Sequence, residues 1–307
     1  MASSSILSDS WCERDPYGDK ESDSLFYSWR NFSDIIKHRT RYVFFKNTFK
    51  TEDDGMEPYE VLDKIGEVVY GMQNLYNTFD VAPLFPTIDF YRVRQHKLKN
   101  EAKSASGLGS PPNEIAMVNR MSPAGISMFY CSDDESTAIA EVLNEKDRAK
   151  KYITVGCFQN TRPLNIINLN HLKNVSLFEL DKSEFYQAVQ FLWRFRAEIS
   201  KAVSRDGAEH YEYVPTQVVT EYFRDVFSTK YKIKIDGIQY PSVKRKGKSC
   251  FVLFFNPNDI VDSHPPRKPK SVKSSVMNSS SKASLVLLNK SVKTFKWCDN
   301  TKQSSHF

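Results

Sequence analysis

Six short runs rich in β-branched and aromatic residues, spread unevenly between residues 87 and 255, most constrain what this chain can fold into. They are TIDFYRVRQ (87–95), the stretch from Ile126 to Cys131, YITVGCF (152–158), PLNIINL (163–169), IKIDGIQYPS (233–242) and SCFVLFF (249–255). Helical periodicity falls irregularly between them: after Ser132-Asp133-Asp134, which offers N-cap chemistry, in SEFYQAVQFLWRFRAEISKAV (183–203), and in PTQVVTEYFRDVFS (215–228), where Pro215 suits a helix start. Strands and helices without regular βαβ alternation predict an α+β fold.

Upstream, SLFYSWRNFSDIIKHRTRYVFF (24–45) and EPYEVLDKIGEVVYGMQNLY (57–76) carry apolar residues at helical spacing, with an acidic break at Glu52–Gly55 between them. Pro83 and Pro86 end this region, so residues 1–82 are expected to form a small helical domain and residues 83–262 the α+β domain. The polar stretch 99–118 reads as a mobile loop over a site or as a tolerated insertion. Residues 263–307, biased towards Ser, Lys and Pro, are expected to be a basic, disordered tail.

That tail explains the net charge. It holds nine Lys and Arg against Asp299 alone, which leaves 34 basic and 36 acidic residues, a balance of −2, for residues 1–262. A nucleic-acid partner is therefore not expected for the folded part, although RKPK (267–270) and TFKW (294–297) leave open a non-enzymatic binding role for the tail. No run approaches the roughly 18 apolar residues of a membrane span. The opening residues lack the basic and apolar regions of a secretory leader, so a cytoplasmic location is expected. The five cysteines form no CxxC pair and the histidines no metal-ligand spacing, so neither a disulfide framework nor a metal site is signalled. Three cysteines, Cys131, Cys157 and Cys250, fall in apolar runs and read as buried small hydrophobes.

Four places combine reactive residue types with a strand end or a turn: FYRVR (90–94), NRMSPAG (119–125), Tyr130 to Glu141, and DGIQYPS (236–242). On the residues alone, Arg92 and Arg94 read equally as solvated strand charges, Arg120 as a turn residue, Tyr130 as a core aromatic, Glu141 as a solvated helix residue and Ser242 as a turn residue after Pro241. Helical spacing aims Ala138, Ile139 and Val142 inward and leaves Glu141 facing solvent or a cleft.

In that order the four places resemble the RES-domain family, over roughly residues 86–257. An Arg, a Pro-Gly turn, an aromatic strand ending in Tyr, and a Glu eleven residues later recur in the family's pattern. YVPTQVVTEYF (213–223) and DGIQYPSV followed by FVLF are similar to its later segments, and the first helical stretch resembles the HEPN-like domain found before some RES domains. The seven residues between Arg30 and His38 depart from the shorter Arg-to-His spacing of RNase-active HEPN domains, so a structural or regulatory part is expected of that region.

The resemblance implies an ADP-ribosyltransferase-like fold and degradation of NAD+, by phosphorolysis to nicotinamide and ADP-ribose-1″-phosphate in several members. NAD+ and inorganic phosphate would be substrates, with no resident cofactor. An antitoxin or regulatory partner is implied, and self-association into a homo-oligomer stays open. Carried over to this sequence, Glu141, Arg92 and Tyr130 are the catalytic candidates, and Arg120, Ser242, Tyr91 and Arg94 the substrate-binding ones. Arg92 is preferred to Arg94 because it follows Tyr91, and Arg92 is expected to serve NAD+ while Arg120 serves phosphate. Transfer of ADP-ribose to a macromolecule is the alternative within the same chemistry.

Overall fold

The computed structural model describes residues 21–46, 57–76, 88–144, 146–170, 172, 192–193, 195–200, 208–263 and 283–297. The break at 52–55, Pro83, Pro86 and the RKPK segment lie outside these residues, as does most of the helix expected over 183–203, whose described pieces are helical at 192–193 and 195–199.

All six β-favouring runs supply strands to one sheet. These are β1 (Asp89–His96), β2 (Phe129–Ser132), β3 (Tyr152–Asn160), β4 (Ile166–Asn168), β5 (Gly237–Pro241) and β6 (Ser249–Leu253), joined by β7 (Ile260–Asp262), β8 (Leu285–Leu287) and β9 (Lys293–Lys296). The strand order is β4-β5-β6-β2-β1-β3-β8-β7, with β9 also on β3. Pairing is antiparallel except for β4 with β5 and β7 with β8. β2 starts later than its apolar run because Ile126 N–H closes a turn on Pro123 O at 3.3 Å and Ser127 bonds Pro111 O and Asn113 Oδ1 instead of a neighbouring strand.

Alternation along the strands sends successive side chains to opposite faces and so builds two layers. On one face Phe90, Phe129, Phe158, Phe251 and Leu253 pack with Ala105 and Leu108 of the short helix α3 (Ala105–Leu108). On the other face Val252 and Ile238 share a core with two N-terminal helices, α1 (Glu21–His38) and α2 (Pro58–Tyr76). A shorter helix, α4 (Glu135–Val142), covers Val93 and Val155 on that face through Ala138. Beyond α5 (Glu209–Glu212), α6 (Val214–Glu221) runs through a π-helical segment, Tyr222–Val226, into α7 (Phe227–Tyr231) and joins the same core. Trp29, Phe32 and Ile36 of α1, at helical spacing, are buried against Phe195 and Ile199 as well as α2. The N-terminal helices thus share one continuous apolar core with the sheet.

Two expectations fail. The stretch read as part of a disordered tail supplies β8 and β9: Leu285 and Leu287 are fully buried, and the strands pair with both β3 and β7. Its Ser-Lys bias conceals a continuous apolar run, LVLL (285–288), and the β-favouring segment VKTFKW (292–297). The polar stretch 99–118 is not a mere tolerated insertion either, since Ala102, Ala105, Leu108 and Ser110 are buried in it. Among the described residues, no helix is long and apolar enough to cross a membrane.

Candidate active site

β1 and β2 are paired at one position, Tyr91 opposite Ser132. From there β1 follows β3 and β2 follows β6, so the sheet opens between its two central strands. The Arg92 guanidinium bridges the opening, donating to Tyr130 O at 2.9 Å and lying 4.7 Å from the centroid of the Phe129 ring. Desolvation by burial pushes its pKa down to about 10, which leaves it charged at neutral pH. A cavity of about 170 Å³ occupies this opening, lined by Arg92, Ser122, Met128, Tyr130 and Val142 together with Pro111, Ala116 and Met117 from the stretch 99–118.

Tyr130 presents its ring to the cavity and its hydroxyl to Ser122 Oγ at 3.0 Å. Burial pushes the phenol up to about 12, so it is neutral through the physiological range. The turn that brings Ser122 there is closed between Asn119 and Ser122 and followed by a second turn with Gly125 at a φ of 84°, a conformation that favours glycine. Two polar residues on α6 hold it from behind: Thr216 Oγ1 donates to Arg120 O at 2.6 Å and Gln217 Nε2 to Asn119 O at 2.8 Å.

Glu141 comes from the last turn of α4, and Val142 beside it is exposed at the cavity instead of facing inward. The helix forms because Asp134 caps it, accepting from Thr137 N–H at 2.8 Å and from the Ser136 and Thr137 hydroxyls at 2.6 Å; those bonds hold the Asp134 carboxyl well below the usual carboxylate range. A carboxylate at a helix C-terminus is disfavoured by the helix dipole, so Glu141 needs donors. It has two. Ser242 Oγ donates to Glu141 Oε1 at 2.5 Å and Lys244 N–H to the same oxygen at 3.2 Å.

Arg92 and Tyr130 line the cavity, while Glu141 and Ser242 form a hydrogen-bonded pair next to Val142, which lines it too. Three other candidates belong neither to the cavity lining nor to that pair. Arg94 shares a strand face with Arg92, but its guanidinium turns to Gly107 O at 2.5 Å and is exposed. Tyr91 points to the opposite face, where it packs with Val93 and Ala138. Arg120 donates to Ile199 O and lies 5.9 Å from the Tyr213 ring centroid, although its charge still favours the phenolates of Tyr130 and Tyr240.

Tyr240 is the residue that sequence reasoning missed. It is two positions before Ser242 and pairs with Cys250, and burial raises its phenol well above the ordinary value with added repulsion from Cys250, Tyr130 and Glu141. The strand alternation of DGIQYPS was the available signal, since positions 240 and 242 share a face. Cys131, Cys157 and Cys250 are buried free thiols. Among the described residues no three metal-ligating side chains converge.

A family model described as "RES domain" matches residues 89–272, and one described as "HEPN/RES N-terminal domain 1" matches residues 1–50. No curated protein matches the chain.

Proposed function

The chain belongs to the RES-domain family, and on that premise we propose that the cleft between β1 and β2 cleaves NAD+ at its nicotinamide–ribose bond with inorganic phosphate as acceptor. The family is one of NAD-related toxin–antitoxin proteins. The observation that supports phosphorolysis and the residue roles is the Glu141 carboxylate held by Ser242, next to Val142, which lines the cavity together with Arg92 and Tyr130.

The chemistry asks for what these residues offer. The C1″–N bond breaks with its electron pair going to the pyridinium nitrogen, so nicotinamide leaves neutral and takes no proton. Positive charge develops on the ribose, and the Glu141 carboxylate stabilises it and hydrogen-bonds a ribose hydroxyl. A phosphate oxygen then forms the new C1″–O bond, giving ADP-ribose-1″-phosphate. The Tyr130 ring holds the cationic nicotinamide by stacking and cation–π attraction. Arg92, already desolvated, supplies a planar cation for the substrate's pyrophosphate. Ser242 orients the carboxylate from the end of β5.

An ADP-ribosyltransferase-like reading of the sheet belongs to the same proposal and is supported by its opening between central strands. The reading implies a cytoplasmic site of action and a restraining antitoxin, since depletion of a central cofactor halts growth.

The test is to incubate the purified full chain with NAD+, with and without phosphate, and identify products by mass. ADP-ribose-1″-phosphate appearing only with phosphate is the expected result. Free ADP-ribose in both arms would replace phosphorolysis by hydrolysis, and ADP-ribose attached to a macromolecule would replace it by transfer. Intact NAD+ in every arm would reject the reading.

A further inference from the structure

We propose that the hairpin between β5 and β6 is a phosphate-binding rim of this cleft, in which Lys244, Arg245 and Lys246 take a phosphate group next to Glu141. The choice of which reactant carries that phosphate rests on the NAD+ reading; the binding itself does not.

The hairpin is fixed and its charges are not neutralised. Ser242 N–H donates to Lys248 O at 2.8 Å, and a turn closes from Lys248 N–H to Arg245 O at 3.2 Å with Gly247 at a φ of 82°. Glu141 Oε1 accepts Lys244 N–H, and Ser242 Oγ accepts Arg245 N–H at 3.0 Å. At the other end Lys248 Nζ pairs with Asp134 Oδ1 at 3.3 Å, so both ends of α4 hold the hairpin. That pair neutralises Lys248. Lys244, Arg245 and Lys246 are exposed and make no ion pair with any described residue.

Three adjacent cations without internal partners repel one another, a cost relieved by an external anion. A guanidinium flanked by two ammonium groups suits a phosphate oxygen cluster. The patch is compact, spanning three consecutive residues of one turn, which fits a single phosphate or pyrophosphate better than the extended track of a nucleic-acid backbone. Position strengthens the inference. The backbone of the same segment donates to the oxygen of Glu141 that accepts from Ser242, so the hairpin main chain lies against the carboxylate whose neighbour Val142 lines the cavity, whereas Arg120 is engaged by Ile199 O. The phosphate role expected of Arg120 passes to the hairpin.

The experiment compares the full-length wild type with a Lys244→Gln/Arg245→Gln/Lys246→Gln variant. The control, Lys97→Gln/Lys99→Gln/Lys103→Gln, removes equal charge from another exposed segment. Circular dichroism and thermal midpoints establish folding. Inorganic phosphate and ADP-ribose are titrated calorimetrically at about 0.15 M ionic strength. The hairpin variant is expected to bind one of them about tenfold more weakly, with the control within about twofold of wild type. Loss for phosphate alone identifies the free anion, and loss for ADP-ribose alone identifies the dinucleotide's own phosphates. The proposal is overturned if the hairpin variant binds both as wild type does, if wild type binds neither, or if the control loses as much. NAD+ cleavage by wild type is scored separately: its absence rejects the enzymatic reading while the titrations still decide the rim.

Discussion

The Ser242 hydroxyl donates to Glu141 Oε1 at 2.5 Å, joining the end of a strand to the end of a helix across 101 residues of chain. The bond fixes where the carboxylate's charge sits. Glu141→Gln keeps the hydrogen-bonding shape and removes that charge, so kcat for nicotinamide release should fall at least about tenfold, or ~1.4 kcal/mol in activation free energy, with KM for NAD+ little changed. Ser242→Ala should lower kcat less. Steady-state kinetics on both variants checks the order, and wild-type turnover in Glu141→Gln would remove Glu141 from the chemistry.

Tyr130 is argued to act through its ring. Tyr130→Phe, which loses the hydroxyl's bonds but keeps the ring, should bind NAD+ nearly as wild type, whereas Tyr130→Ala should weaken binding by about 1 to 2 kcal/mol. Titration calorimetry with NAD+ distinguishes them. Equal effects would return Tyr130 to a packing role.

The strand framework was legible because its β-branched and aromatic runs are short and bounded by turn residues, and α4 because Asp134 and the apolar spacing agree. Periodicity could not show that Glu141 meets Ser242, since long-range contacts leave no local signature; the family resemblance named both residues but not their hydrogen bond. Arg92 and Arg94 were inseparable in sequence because alternate strand residues share a face, and the neighbouring α3 with its Gly107 carbonyl separates them. Thr216 and Gln217 went unnoticed as the supports of the Asn119–Ser122 turn, though two polar residues on an apolar helix face were a usable cue.

Asp134 links α4 to pH. Its carboxyl is held below its ordinary value in the folded chain, so it stabilises the fold above the unfolded pKa of about 4, and this contribution is lost as pH falls below that value. Asp134→Ala should cost about 1 kcal/mol near neutrality, and the difference from wild type should shrink in acid. Urea unfolding of both proteins at several pH values measures it. A constant difference would show that the cap acts without its charge.

β8 gives a direct test of the corrected tail. Leu287→Ala should destabilise the protein by about 2 to 5 kcal/mol, because a fully buried side chain leaves a cavity between β3 and β7. Lys290→Gln, three residues on, should change stability by less than about 0.5 kcal/mol. Denaturant midpoints at constant slope decide it, and an unchanged midpoint for Leu287→Ala would mean that β8 adds nothing to the fold.

β3 lies near the middle of the sheet, yet two of its partners are among the last described residues: Thr154 faces Thr294 and Gln159 faces Val286. During synthesis, therefore, a chain that has already produced Glu141 and Ser242 still carries β3 with an open edge, a template for pairing with another molecule. Stalled nascent chains ending before residue 283 should be digested by protease much faster than those extended past residue 297, and equal resistance would contradict this order. Because β3 is the partner of β1, the wall of the cleft that carries Arg92 gains its full backing only once these last described strands are in place.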